Sequence, residues 1–97
     1  MRSFLVEIYA PATGAIAAIE RRILAASTEL TQAGTPVRYV RSIFVPEDEI
    51  CLYLFEADTS DSVREATVRA GISALRIVEA LERTCEPVRR TTRKPVR

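Results

Sequence analysis

The polar side chains best placed for chemistry in this chain interrupt its apolar segments. They are Glu7, Tyr39, Arg41, Tyr53 and Glu56. Apolar walls with a few convergent polar groups describe a small-molecule site, so these five are candidate residues of a ligand pocket. The alternative is structural: Glu7 or Glu56 pairs with Arg41 across strands, or reaches water at a sheet edge, because an isolated buried charge is costly. Tyr53 and Glu56 fall on opposite faces of a regular strand, so both line one pocket only if that strand has a bulge.

The kinds of catalysis open to the chain are few. It contains no histidine, so acid–base chemistry near neutral pH falls to a carboxylate, cysteine or tyrosine with a shifted pKa. There is no serine–histidine–aspartate set, no phosphate-binding glycine loop and no metal motif. Cys51 and Cys85 lie in no CxxC motif, so we expect reduced thiols, with Cys51 a small buried hydrophobe. The residues assign no catalytic group and leave open whether the chain is an enzyme.

The first segments predict a strand followed by a helix. Residues Phe4–Tyr9 are rich in β-branched and aromatic side chains and predict a strand. From Gly14 to Ala33 the large apolar residues recur at helical spacing, which predicts an amphipathic helix. Thr13 is the expected N-cap, and Gly34 is placed to end the helix in the left-handed conformation.

Residues 37–57 predict a β-hairpin with the turn at Pro46–Glu49. Alternate residues of a strand point to opposite faces. In the second strand both faces are apolar, one carrying Ile50, Leu52 and Leu54 and the other Cys51, Tyr53 and Phe55. An antiparallel sheet with one wet face normally alternates apolar and polar residues, so we expect this sheet to be covered on both sides.

The remaining segments complete the predicted fold. The pattern Ser62-x-x-Glu65 predicts a capping box at the start of a second helix, which ends at Ala70 before Gly71. Residues 77–83 fit either a helix, by propensity, or the final strand that a split βαβ sheet requires. We predict the strand. The fold class is then α+β, a ferredoxin-like βαββαβ domain with a four-stranded antiparallel sheet and two helices on one face.

This fold predicts an assembly as well. Two helices cover only one face of a four-stranded sheet. The second apolar face is best hidden against the same face of another copy, which predicts a homodimer formed through the sheet, a dimeric α+β barrel.

Length and charge predict one domain and a tail. Among the 97 residues we expect a folded domain over 1–86 and a flexible tail over 87–97, of which residues 89–97 carry five positive charges and no negative ones. No aromatic residue is interleaved with those charges, so a solvated terminus is expected rather than a nucleic-acid partner. No apolar run approaches the roughly 20 residues that span a bilayer. Glu7 follows Phe4 by only three residues, so the start of the chain lacks the apolar core of a signal peptide. We expect a cytoplasmic protein with no membrane partner.

Short blocks along the chain resemble one known family. They are Phe4-Leu5-Val6-Glu7, Ser42-x-Phe44-Val45-x-x-Asp48-x-x-Cys51-Leu52-Tyr53, Glu56-Ala57, Val63-Arg64-Glu65-Ala66, Arg69-Ala70-Gly71 and Arg76-Ile77. These blocks resemble the small actinobacterial ferredoxin-like proteins described as nickel-binding, part of a larger family of domains of unknown function. The resemblance covers about residues 4–84 and implies a ferredoxin-like domain that dimerises through its sheet, with residues 78–83 as the fourth strand. It also implies nickel as a ligand.

The residues themselves show no evident cofactor. Nickel sites in proteins usually use imidazole nitrogen, so nickel here would depend on Cys51, Cys85 and carboxylates, among which no ligand cluster is visible. The first functional hypothesis is a cytoplasmic homodimeric binding protein of this family, without histidine-based metal binding and with a small molecule as candidate ligand. The alternative is a dimeric α+β barrel enzyme, isomerase- or monooxygenase-like, acting on a small hydrophobic or aromatic molecule. A third is an interaction module whose basic tail engages nucleic acid.

Overall fold

The predicted element order is confirmed. The structure, a computed structural model, describes residues 1–11 and 13–83, although not the side chain of Thr13. Its elements are β1 (Arg2–Tyr9), α1 (Ile16–Gln32), β2 (Val37–Val45), β3 (Ile50–Ala57), α2 (Ser60–Arg69) and β4 (Arg76–Ala80). The ambiguous segment therefore contains a strand. The boundary expected at residues 86 and 87, and the basic tail, lie outside the described residues.

The four strands form one antiparallel sheet in the order β2-β3-β1-β4. Both helices pack on the same face, and the core lies between them and the sheet. Its fully buried large side chains include Phe4 and Val6 of β1, Tyr53 and Phe55 of β3, and Ile23 and Leu30 of α1. Each such apolar side chain contributes about 1.5–3 kcal/mol relative to exposure. The described part of the chain has no helix long and apolar enough to cross a membrane.

The start of α1 differs from the prediction. The helix begins at Ile16 with Ala15 as its N-cap, and no side chain caps it. Thr13 is therefore not the N-cap, because residues Thr13–Ala15 form a 3-10 turn that delays the helix. The predicted end is confirmed: Gly34 has φ 100°, and its N–H donates to the Thr31 carbonyl at 3.1 Å.

The cap of α2 also differs from the prediction. The N-cap is Thr59, whose Oγ1 accepts a hydrogen bond from the Ser62 N–H at 3.3 Å. The predicted capping box of Ser62 and Glu65 is wrong, because the helix begins earlier and both residues lie within it. The predicted stop at Gly71 is confirmed by its φ of 73°.

The hairpin of β2 and β3 is confirmed, with one irregularity that its sequence does not show. Pro46–Asp48 form a 3-10 turn, and Glu49 adopts the left-handed conformation with φ 53°. Along the ladder, Tyr39 lies opposite Phe55 and Arg41 lies opposite Leu54, so β2 has a bulge between these two residues. In a regular strand Tyr39 and Arg41 would share a face. The bulge sends them to opposite faces.

Candidate functional site

The sheet surface turned away from both helices, here called the open face, is apolar at its centre. It contains residues from all four strands, which the register places next to one another. Its large apolar side chains are Leu5, Ile43, Val45, Ile50, Leu52, Leu54 and Val78. Ile43 is 51% exposed. No helix covers this face in the described residues.

A concavity of about 290 Å³ lies on the open face at the end near the hairpin turn. Leu5, Leu52 and Val78 form part of its apolar wall. Its polar lining consists of Glu7, Asp48 and Arg76. Arg76 Nε lies 3.2 Å from Glu7 Oε1, and the Glu7 side chain is largely buried. The concavity is therefore an apolar surface with one partly buried ion pair at its margin.

Further ion pairs lie at the other end of the open face. Arg38 Nε is 3.2 Å from Glu56 Oε1, and Arg41 contacts Glu82. The pairing of Glu7 or Glu56 with Arg41, offered above as the structural alternative, is wrong. The register sets Glu56 opposite Arg38 and Glu7 opposite Arg76 instead.

The contact between Arg41 and Glu82 also shows where the chain goes after β4. Arg41 lies on β2, at the opposite edge of the sheet from β4. Glu82 reaches it only if the chain beyond Ala80 turns over the open face. Leu54, in the middle of that face, is accordingly only 5% exposed.

A second polar cluster lies on the helix-covered face. Glu20 Oε2 accepts hydrogen bonds from the Tyr39 hydroxyl at 2.8 Å and from Ser42 Oγ at 2.7 Å. Burial raises the pKa of Tyr39 to about 12. Burial likewise raises the pKa of Tyr53, whose hydroxyl has no hydrogen-bond partner among the described residues.

The thiol of Cys51 belongs to the same buried layer. Cys51 is fully buried and free, and burial raises its pKa. Near neutral pH the Cys51 thiol and the phenols of Tyr39 and Tyr53 therefore all keep their protons, so none of them is poised to act as a base.

The five candidates from the sequence are divided between the two faces. Glu7, Arg41 and Glu56 lie on the open face, and only Glu7 lines the concavity there. Tyr39 and Tyr53 lie on the covered face, with their ring centroids 5.9 Å apart. The structure thus places the five residues around no common pocket.

Four polar residues of the concavity and of the covered-face cluster were not among the candidates from the sequence: Glu20, Ser42, Asp48 and Arg76. A signal existed for Glu20, because it follows Ile16 by four residues and so falls on the apolar stripe of α1. No such signal existed for Arg76, since its proximity to Glu7 depends on the β1–β4 register.

Comparisons with known proteins identify a family and a fold. The family described as nickel responsive protein SCO4226-like matches residues 4–80, which confirms the resemblance predicted from the sequence. Among solved structures, SCO4226 from Streptomyces coelicolor A3(2) is similar, with a TM-score of 0.70 and 16% sequence identity. The alignment covers 84% of this chain and 99% of that one. At this identity the likeness concerns the fold. A search of curated proteins finds no match.

Nickel does not fit the donor groups present in the described residues. The sequence has no histidine, and Cys51 is sealed beneath the helices. Within residues 1–11 and 13–83, no three cysteine, aspartate or glutamate side chains gather where they could hold a metal ion. Cys85 lies outside the described residues. Carboxylates that are held in ion pairs are weak ligands for a metal that prefers imidazole.

Proposed function

This chain belongs to the SCO4226-like family of nickel responsive proteins, and we propose that it is a homodimeric binding protein whose two open faces meet around a small organic ligand. The observation that carries the proposal is the open face, an apolar sheet surface that no helix of the described chain covers and that contains a concavity of about 290 Å³. A protomer that left this surface in water would expose a contiguous apolar patch, which is typical of an interaction site.

The charges on the open face support an interface between copies of the chain. Glu7 pairs with Arg76, Glu56 with Arg38 and Glu82 with Arg41. These six charges are thus neutralised within their own protomer, and the Glu7–Arg76 and Arg38–Glu56 pairs lie toward the margin of the apolar centre. An apolar core with a polar rim is the usual arrangement of a protein interface. We expect the dimer to bury at least about 1,200 Å² in total.

The concavity suits a small apolar molecule with one polar group. Two concavities facing each other across the dimer would form one chamber with walls such as Leu5, Leu52 and Val78. The Glu7–Arg76 pair would then be the polar contact for the ligand. Such a chamber, apolar with few polar groups, is the usual form of a small-molecule site.

Binding is favoured over catalysis. An isomerase- or monooxygenase-like reaction needs a group that exchanges a proton near neutral pH. The pKa values of Tyr39, Tyr53 and Cys51 are all raised, so these groups move away from that range. The cytoplasmic location is part of the proposal and depends on the expectation of reduced thiols, of which Cys51 is one.

The dimer is tested at Ile43, which is half exposed and therefore not needed for the core. Ile43→Arg places a charge in the proposed interface, whereas Val68→Arg makes a matched change on α2, where Val68 is 71% exposed. Light scattering should give the mass of a dimer for the wild type and for Val68→Arg, and the mass of a monomer for Ile43→Arg. A monomeric wild type, or an Ile43→Arg dimer of unchanged affinity, contradicts the proposal.

The ligand class is tested by calorimetry with nickel chloride on the dimer. We expect no saturable heat with Ni²⁺, because the donor groups described above do not form a site. Stoichiometric nickel binding with a proton release typical of thiolate ligation would assign the family's metal to this chain and reject the organic ligand.

A further inference from the structure

The described residues that follow β4, here called the strap (81–83), reach over the open face. β4 is one edge of the sheet and β2 is the other, with β3 and β1 between them. Neighbouring strands lie about 4.8 Å apart, so the two edges are separated by roughly 14 Å. The side chain of Arg41 on β2 nevertheless pairs with Glu82 of the strap. This pair therefore bridges the sheet above its two central strands.

Leu54 of β3 lies below this bridge, at the centre of the open face. The register sets it opposite Arg41 on one side and opposite Leu5 on the other. Leu54 is buried, although it does not belong to the core that the helices cover. Its cover therefore lies on the open side, where the described chain supplies the neighbouring side chains of the sheet and the strap.

The strap is held in this position by little. β4 ends at Ala80, so the strap lies beyond the ladder. Leu81 is 88% exposed and adds little packing. In the part of the chain that the structure describes, the pair with Arg41 is the one side-chain hydrogen bond or ion pair of the strap. Both partners of that pair are about half exposed, and such a pair adds little stability.

The strap and a second copy of the chain compete for the same space. Two sheets that pack face to face lie about 10 Å apart, and the side chains of their inner faces fill that distance. In a two-fold dimer both straps would lie within the interface, where no room remains for two further peptide segments. The Arg41–Glu82 pair would also lose its contact with water there, at a cost that can exceed the attraction between the charges.

We propose that the strap is an autoinhibitory element, which has to leave the open face of both protomers before the dimer forms. This inference rests on the homodimer proposed above. The closed strap covers Leu54 and keeps the apolar centre from a second copy, and the open strap exposes it. The measured dissociation constant of the dimer is then the intrinsic one divided by the open fraction of each protomer.

Glu82 is the residue to change, because it acts in the closed state alone. The strap is open in the dimer, so Glu82→Gln leaves the interface as it is in the wild type. An exposed ion pair favours the closed state by a factor of about 1.4 to 5. Because two straps open for each dimer, this factor is squared, and the dissociation constant of Glu82→Gln should be about 2- to 30-fold lower.

Glu79→Gln is the matched control. It makes the same change of charge and also breaks an ion pair, since Glu79 lies 3.0 Å from Arg2. Glu79 lies on β4 opposite Phe4, on the covered side of the sheet and outside the strap. Sedimentation equilibrium of the full chain over a range of concentrations measures the dissociation constants. Glu79→Gln should dimerise with the affinity of the wild type.

Salt gives a second measurement of the same contact. Raising the NaCl concentration from about 50 to about 500 mM screens an exposed ion pair and should therefore open the strap. The affinity of the wild-type dimer should rise with salt more steeply than that of Glu82→Gln, in which the pair is already absent. Equal salt dependence of the two chains would contradict the role of this pair.

The strap and the homodimer fail in different ways. If the wild type and Glu82→Gln dimerise with equal affinity, the strap is not inhibitory and the homodimer stands. A weaker Glu82→Gln dimer would place Glu82 inside the interface and overturn the inhibition as well. A Glu79→Gln dimer that is tighter to the same degree would show a general effect of charge. If the wild type and Glu82→Gln are both monomeric at every concentration, the homodimer itself is wrong, and the strap has no association to inhibit.

Discussion

The two faces of the sheet are built from the same four strands, yet they hold their polar residues in different ways. On the covered face Glu20 accepts two hydrogen bonds from Tyr39 and Ser42 beneath α1. On the open face the charges of Arg38 and Glu56 pair with each other at the margin, where they remain accessible to water. The covered face thus pairs Glu20, Tyr39 and Ser42 within the protomer, whereas the apolar centre of the open face has no helical cover in the described chain.

This difference separates stability from assembly. Side chains of the covered face are fixed by packing that a single chain supplies. Exposed side chains of the open face, such as the half-exposed Ile43, would gain burial from a second molecule. Changes on the covered face should therefore alter the free energy of unfolding, and changes on the open face should alter association first.

The largest effect is expected from Phe55→Ala. Phe55 is fully buried and contacts the ring of Tyr39, with centroids 5.7 Å apart. Its loss should cost about 3–5 kcal/mol of unfolding free energy, enough to unfold much of a small domain. Chemical denaturation measures it. Ile43→Ala, on the open face, is the comparison and should cost the protomer far less. Equal losses would remove the distinction between the faces.

The next effect is expected from Glu20→Ala, which leaves the Tyr39 and Ser42 hydroxyls without their acceptor. Leaving these partly buried hydroxyls unsatisfied should destabilise the chain by up to about 1–3 kcal/mol, the range for buried groups. Thermal unfolding of Glu20→Ala beside Glu29→Ala, an exposed glutamate on the same helix, isolates the effect. If both variants melt together, the cluster on the covered face contributes no stability.

Alkaline pH should also act on the covered face. The pKa of Tyr39 is raised from the ordinary tyrosine value of 10.0 to about 12, mainly by burial. The folded state therefore holds this proton more tightly than the unfolded state, so stability is complete below about pH 10 and declines as pH rises toward 12. Stability measured across this range should show the decline, and Tyr39→Phe should reduce its slope. A wild-type profile that stays flat would contradict the burial of this phenol.

The smallest effect is expected at the margin of the open face. A double-mutant cycle on Arg38 and Glu56, with each changed to alanine, should give a coupling of about 0.2–1 kcal/mol, as for exposed ion pairs. Measured by denaturation in low and high salt, the coupling should weaken with salt. A coupling several times larger would mean that this pair is buried, for example inside the dimer.

Much of the fold could be predicted from local patterns. The hairpin turn at Pro46–Glu49, the end of α1 at Gly34 and the strand Phe4–Tyr9 depend on neighbours in the chain, and the structure confirms them. The helix starts were wrong, at Thr13 and at Ser62, because several nearby residues could serve as caps. Which one does so depends on where the preceding chain leaves the sheet.

The candidate site could be predicted only in part. The sequence selected polar residues within strands, which is a local property. Strand parity separated Tyr53 from Glu56, but the sequence could not assign the other candidates to a face. The bulge in β2 separates Arg41 from Tyr39, and the register pairs Arg38 with Glu56 and Arg76 with Glu7. Ser27 on α1, whose buried hydroxyl has no hydrogen-bond partner among the described residues, had no signal at all, because a serine on a helix becomes unusual only when its surroundings are known.

The sequence by itself determined the elements, their order and the presence of apolar residues on both faces of β3, since strand and helix periodicities follow from local backbone geometry. Only the tertiary structure decided which polar groups meet and which hydroxyls lack a partner. These outcomes depend on register, on a one-residue bulge and on the packing of α1 against the edge of β2, where distant parts of the chain come together and local spacing carries no information.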